Sequence, residues 1–191
     1  MSDARLPGTR VPAMPSHVAF LRGMNLGGRR IKNEELRAEF EALGFADVAC
    51  FRASGNVVFG AKGSEAKLTG EIEAGLGDAL GYEVPVFLRS AKELGALAAH
   101  EPFDAAQVGA SEGKLQVALL AKKPAAKALE QALAAASEVD RLAIEGRELY
   151  WLPSGRTSDS ELDLKMLEAA LGPWTMRTMG TIEQIVAKHF A

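Results

Sequence analysis

Residues 47–60, DVACFRASGNVVFG, decide the fold. Two short apolar runs flank Ser54-Gly55-Asn56, the pattern of two strands joined by a tight turn. A doubly wound parallel sheet alternates strand and helix strictly, so a hairpin at this point argues against one and for an antiparallel sheet. Upstream, Val18 to Arg22 reads as a short apolar strand. Asn33 is placed to cap a helix, with Glu34 and Glu35 in its first turn, Leu36, Phe40 and Leu43 at helical spacing, and Gly44 as a stop. Downstream, Leu68, Ile72, Leu76 and Leu80 form one helical stripe ended by Gly81. Val84 to Leu88 is then a strand, and Pro85 suggests an edge position. The order is β-α-β-β-α-β.

A bridging helix follows around Ala91 to Ala99, then a loop with Pro102 and Gly109, and the order recurs. Leu115 to Leu120 is a strand, and Pro124 suits the first position of a helix that turns Leu129 and Leu133 inward. Arg141 to Ile144 and Glu148 to Leu152 are strands about a Glu145-Gly146-Arg147 turn. Leu162, Met166, Ala170 and Leu171 mark a helix stopped by Gly172-Pro173. Trp174 to Thr178 is a strand, and a last helix starts at Thr181 with Gln184 completing a capping box. The chain therefore reads as α+β, two ferredoxin-like β-α-β-β-α-β repeats with helices covering antiparallel sheets, plus a C-terminal helix. The expected boundaries are a flexible tail over 1–15, a first repeat over 16–90, a bridge over 91–113 and a second repeat over 114–191.

Composition narrows the partners. The 191 residues are 48% hydrophobic, enough for packed cores, and the net charge of −3 supplies no global basic field for nucleic acid. One cysteine, Cys50, allows no internal disulfide and fits a reducing cytoplasm. No apolar run approaches the roughly 20 residues of a membrane span. The first fifteen residues hold three prolines and no apolar core of a signal peptide, with Met14 available as an alternative start.

In a ferredoxin-like unit the first and second strands run parallel. The turn after the first strand then lies beside the turn that joins the second and third. That places Arg22 to Lys32 next to Ser54-Gly55-Asn56. Arg22, Arg29, Arg30, Lys32 and Arg52 would surround one turn containing Gly23, Gly27 and Gly28, and no acidic residue occurs between Val18 and Asn33. Glycines allow close backbone approach, successive N–H groups form an anion nest, and a helix N-terminus follows. Guanidinium groups grip phosphate or carboxylate bidentately. A glycine-rich turn is also often only a turn, and exposed arginines are often only solvated.

Other chemistries fall away. Gly23-x-x-x-x-Gly28 has P-loop spacing, but Arg29-Arg30 stand where Lys-Ser/Thr belong. No dinucleotide fingerprint occurs, and His17, His100 and His189 are scattered without metal-ligand spacing, so no cofactor is expected. Ser54 is not in a nucleophile elbow, Cys50 reads as core, and no general base is evident, which leaves catalysis open. Phe20, Phe51 and Phe59 lie on strands, but the RNP pattern of RNA-binding sheets is missing.

The stretches FLRGMNLGG and Ile31-Lys32, then SGNVVF, Pro85-Val86, Glu93-Leu94 and Gly146 to Tyr150, resemble a bacterial family known as domain of unknown function 1697. The resemblance runs from Val18 to about His189, implies an α+β fold, and brings no activity. Two positions depart from the family pattern. Ala53 stands where a glutamine precedes Ser-Gly-Asn, and Thr175 to Thr181 keeps Arg177 and Thr181 but lacks the Asn-Trp-Asn core.

Three functions follow. The first is binding of a small phosphorylated or carboxylated ligand through Arg22, Gly23, Asn25, Gly27, Gly28, Arg30, Lys32, Arg52, Ser54, Asn56 and Arg177. The second is contact with RNA phosphates at the same turn, disfavoured by the net charge. The third is a structural or protein-interaction role in which Arg22, Asn25 and Asn56 satisfy backbone carbonyls.

Overall fold

The structure, a computed structural model, describes residues 15–24, 31–53 and 55–191. The tail expected over 1–15 lies, apart from Pro15, outside them. Strands β1 (His17–Leu21), β2 (Ala46–Cys50), β3 (Asn56–Gly60) and β4 (Val86–Ser90) form one sheet in the order β2-β3-β1-β4, with every neighbouring pair antiparallel. Helix α1 (Asn33–Ala42) crosses from β1 to β2, and α2 (Glu65–Leu80) crosses from β3 to β4. After α3 (Ala91–Ala98) and the short α4 (Ala105–Gly109) the plan repeats. Strands β5 (Gln116–Leu120), β6 (Asp140–Glu145), β7 (Glu148–Pro153) and β8 (Trp174–Thr178) take the order β6-β7-β5-β8, with α5 (Ala126–Leu133) and α6 (Leu164–Leu171) as crossovers and α7 (Met179–His189) last. The ferredoxin-like plan occurs twice.

Three cores explain why the strands are apolar throughout rather than alternating. In β1, Ala19 and Leu21 face α1 and α2, where Phe40, Leu68, Ile72 and Leu76 are buried. Val18 and Phe20 face the opposite way, into a core shared with Val117, Leu119 and Tyr150 of the second sheet and with α3 and α7. Ala118 and Leu120 face α5 and α6. The helix between the halves is thus more than a bridge. Helices α3 and α7 both follow a fourth strand directly, are capped by Ser90 and Thr178, and share one core.

Most element boundaries agree with the periodicity, and Pro85 does precede an edge strand. Three helix starts differ. Helix α1 is capped at Lys32 rather than Asn33, because the Glu35 carboxylate reaches back to the Lys32 N–H at 3.0 Å. Helix α5 begins at Ala126, after Pro124 rather than with it. Helix α7 begins at Met179, because the Thr178 hydroxyl accepts from the Thr181 N–H at 3.2 Å and Met179 is buried in the shared core.

Two arginines tie the halves together at equivalent places. Arg89 and Arg177 each occupy the fourth position of a fourth strand, opposite Val18 and Val117. Arg89, 1% exposed, donates to the Leu120 carbonyl at the end of β5, to the Arg147 carbonyl in the β6–β7 turn, and to Glu148 at the start of β7. Arg177 donates to the Leu21 carbonyl at the end of β1, to the Gly55 carbonyl in the β2–β3 turn, and to Asn56 at the start of β3. The two clasps match partner for partner, except that a carboxylate serves one and an amide the other.

Candidate functional site

The topology brings the two turns together as expected. The Leu21 N–H donates to the Gly55 carbonyl at 2.7 Å and the Arg22 N–H to the Pro85 carbonyl at 3.0 Å. Gly55 is required here. Its φ is +69°, and a Cβ would sit 2.9 Å from the Met24 side chain and 3.0 Å from that of Leu21. Of the anticipated ligand residues, Asn25, Gly27, Gly28, Arg30 and Ser54, with Arg29 beside them, lie outside the described residues.

The remaining ones go different ways. Gly23 has φ +77° with open space around its would-be Cβ. Arg22 makes a bidentate ion pair with Glu168 of α6, at 2.5 and 3.0 Å, so its charge is already met. Both side chains are about one-third exposed, at 39% and 33%. Arg22→Ala is therefore expected to cost only about 1 kcal/mol, as for other solvent-screened pairs, which a urea titration measures. Lys32 is exposed at the start of α1. Asn56 is fully buried, donates to the Phe51 carbonyl at 3.0 Å and accepts from Arg177 Nε at 2.6 Å. Arg177 also bonds Thr175 and the Met176 carbonyl and stacks over Phe20. Burial pulls its guanidinium down to about 10, still cationic at neutral pH. Asn56 and Arg177 thus bond the sheet end from inside.

Arg52, like Lys32, remains outward. It sits in the β2–β3 turn with φ +58°, lies over the Phe51 ring, and donates to Gln184 of α7 at 2.7 Å. Together with Lys114 it lines an open cleft of about 380 Å³ against the first turn of α7, where Thr178, Gly180 and Thr181 face it. Among the described residues neither Arg52 nor Lys114 has an acidic partner. In that first turn the Met179 N–H is taken by the Leu115 carbonyl and the Thr181 N–H by Thr178. No described residue accepts from the Gly180 N–H. Glu183 also lines the cleft, its carboxylate 4.0 Å from where a Cβ on Gly180 would stand.

The second half has its own cleft between the β6–β7 turn and α3, lined by Arg147, Glu93 and His100. There the guanidinium is met from within. Arg147 bonds Glu65 at 2.5 and 2.9 Å and Glu93 at 2.9 Å. Glu93 is the third residue of α3, the place Thr181 takes in α7. Burial opposes ionisation of Glu93, but bonds from Ser90 and the charge of Arg147 outweigh it and hold the carboxyl below its ordinary range.

Nucleophilic and metal chemistry find little support at the sheet end. Burial pushes the Cys50 thiol up to about 11, and its Sγ lies 3.4 Å from the Asn33 carbonyl. Among the described residues no group of three His, Cys, Asp or Glu is placed to hold a metal, and no helix is long and apolar enough to cross a membrane. Sequence reasoning missed Glu168, Lys114 and Gln184. Glu168 stands 146 positions from Arg22 and nothing local announces it. The duplication was the one available signal for Lys114 and Gln184, since it sets α7 against the first β2–β3 turn.

The chain resembles a solved structure over nearly its whole length. A conserved bacterial protein, SP0830 from Streptococcus pneumoniae, shares 18% identity and a TM-score of 0.69, over 92% of this chain and 100% of that one. At that identity the likeness concerns the fold. No curated protein matches the chain. A family model described as a protein of unknown function, DUF1697, matches residues 14–150, from before β1 into β7. The chain belongs to the DUF1697 family.

Proposed function

We propose that the protein binds a small carboxylated or phosphorylated molecule in the cleft between the β2–β3 turn and the first turn of α7. One observation carries the reading. Arg52 and Lys114 flank this cleft without an acidic partner among the described residues, whereas Arg147, between the β6–β7 turn and α3, is met by Glu93 and Glu65. The second cleft displays what such a guanidinium takes, a carboxylate at the start of a helix. The first has Thr181 where that carboxylate would stand, with room for one from outside.

In this arrangement Arg52 grips the anion through two N–H groups, Lys114 adds a point charge, and the Gly180 N–H donates at the positive end of the helix dipole. The Glu183 carboxylate, beside Gly180, repels an anion there, so the charged end of the ligand lies toward Arg52 and Lys114. Arg22 contributes little, since Glu168 already neutralises it.

Isothermal titration at low ionic strength with pyrophosphate, citrate and a nucleoside monophosphate tests this. Saturable binding is expected for at least one, with Arg52→Ala and Lys114→Ala each weakening it about tenfold, the size of one charge-assisted hydrogen bond, and Arg22→Ala leaving it nearly unchanged. Absence of binding to all three, or equal affinity in Arg52→Ala and wild type, refutes the reading. Binding only to a single-stranded RNA, with a steep salt dependence, favours phosphate-backbone contact instead.

A further inference from the structure

Asp140, the first residue of β6, is a carboxylate 5% exposed at the mouth of a separate cavity. One of its oxygens is fully engaged. Oδ1 accepts from the Trp151 indole N–H at 2.7 Å and from the Ser160 hydroxyl at 2.9 Å. The other, Oδ2, takes no hydrogen bond from any described residue, and it is not sealed in the protein. Asp140 lines a cavity of about 250 Å³ together with Val139, Pro153, Arg156, Asp159 and Glu161. No cation lies within ion-pair distance of Asp140 among the described residues.

A buried carboxylate with only neutral donors on one oxygen carries a large desolvation cost, and ordinarily a cation or further donors offset it. The indole and hydroxyl bonds explain why Asp140 stands where it does, but they leave Oδ2 without a donor among the described residues. The cavity walls are fixed. The Ser154 N–H donates to the Val139 carbonyl at 2.7 Å, the Glu112 N–H to the Ser154 carbonyl at 3.0 Å, and the Ser111 hydroxyl to the Pro153 carbonyl at 2.5 Å. Gly113 permits this contact, because a Cβ there would fall 2.3 Å from the Pro153 carbonyl oxygen. The site is therefore built before any ligand arrives.

We propose that this cavity binds the protonated amino group of a small molecule, with Asp140 as its counter-charge. Three carboxylates, Asp140, Asp159 and Glu161, line the space against the one guanidinium of Arg156, so the local field favours a cation. The described acidic residues are not grouped to hold a metal ion. An ammonium group fits the chemistry better: one N–H donates to Oδ2, and the rest meet the rim carboxylates and water. Val139 and Pro153 offer an apolar wall for a short carbon chain. The volume equals that of about eight liquid water molecules, which suits a short alkylamine and excludes a large ligand.

The test uses the full chain labelled with nitrogen-15 and follows its two tryptophan indole N–H signals, from Trp151 and Trp174. Methylammonium and putrescine are titrated as chlorides, with tetramethylammonium and magnesium chlorides as controls at matched ionic strength. One indole signal is expected to move saturably with methylammonium or putrescine and to stay still with tetramethylammonium, which has no N–H. Asp140→Asn keeps an oxygen for Trp151 and Ser160 but replaces the charged acceptor with a donor, so the saturable shift is lost while signal dispersion remains. If that variant fails to fold, Asp159→Asn with Glu161→Gln, both exposed, must weaken binding about threefold, the size of a screened charge interaction. A wild-type protein without a saturable shift, an equal response to tetramethylammonium or magnesium, or affinity unchanged by the Asp140 or rim substitutions overturns the proposal.

Discussion

Arg89→Met is expected to lower the unfolding free energy by about 3–5 kcal/mol, the range for removing one partner of a buried ion pair. Arg89 is 1% exposed, and its guanidinium meets Glu148 at 2.8 Å, the Leu88 carbonyl at 2.8 Å, the Leu120 carbonyl at 3.0 Å and the Arg147 carbonyl at 3.3 Å. Methionine fills much of the same volume, so the loss is electrostatic rather than a cavity. It leaves Glu148, 15% exposed, without its main counter-charge, and it takes one donor from each of three carbonyls, of which that of Arg147 keeps the Leu120 N–H and that of Leu88 the Arg147 guanidinium. Burial and the neighbouring Arg147 pull the Arg89 guanidinium below its ordinary range, and Glu148 opposes them, which shows how tightly the two charges depend on each other. Urea denaturation measures the effect. Adding Glu148→Gln to Arg89→Met should recover part of the loss, because the orphaned carboxylate is then gone. A cost below about 1 kcal/mol, typical of an exposed pair, would show that this clasp does not hold the halves together.

Arg177→Met should cost somewhat less, about 3 kcal/mol, the scale of one charged hydrogen-bond group lost from a buried site. Here the hydrogen-bond partners among the described residues include neutral groups throughout the sheet end: the carbonyls of Leu21, Gly55 and Met176, the Asn56 amide oxygen and the Thr175 hydroxyl. No carboxylate is stranded among these, and the cost of burying the cation is relieved. Against this, the end of β1 and the β2–β3 turn lose the donor that joins them to β8. Asn56→Asp makes a useful companion. It imitates the Glu148 of the other clasp, but it deletes the amide that donates to the Phe51 carbonyl at 3.0 Å. A gain from the new ion pair is then set against a carbonyl facing a carboxylate. Urea midpoints for the two variants rank these terms, and an Arg177→Met protein as stable as wild type would make the second clasp ornamental.

The fold was legible because its determinants are local. Apolar runs bounded by Gly55, Gly81, Gly146 and Gly172 marked strands and helix stops, and each of these glycines has a positive φ. Strand β4 shows the limit. Read from sequence it stops at Leu88, because an arginine ends an apolar run. In the structure it continues through Arg89 to Ser90, because the other half supplies acceptors for a buried guanidinium. The start of α7 shows the same limit, since burial of Met179 in a core shared by both sheets is invisible to a helical pattern.

For the candidate site the division is sharper. Residue types and turn chemistry alone placed the turn after β1 beside the β2–β3 hairpin and gathered arginines there. Which of those charges remain available was decided only by tertiary structure. Glu168 answers Arg22 from 146 positions away, Asn56 and Arg177 answer each other across 121, and Arg52 finds, among the described residues, only the neutral Gln184 as a hydrogen-bond partner. Backbone preferences and hydrophobic periodicity act over a few residues, so the sequence by itself determined the elements and their order. Charge pairing acts through space, and its partners exist only once two duplicated sheets have packed together.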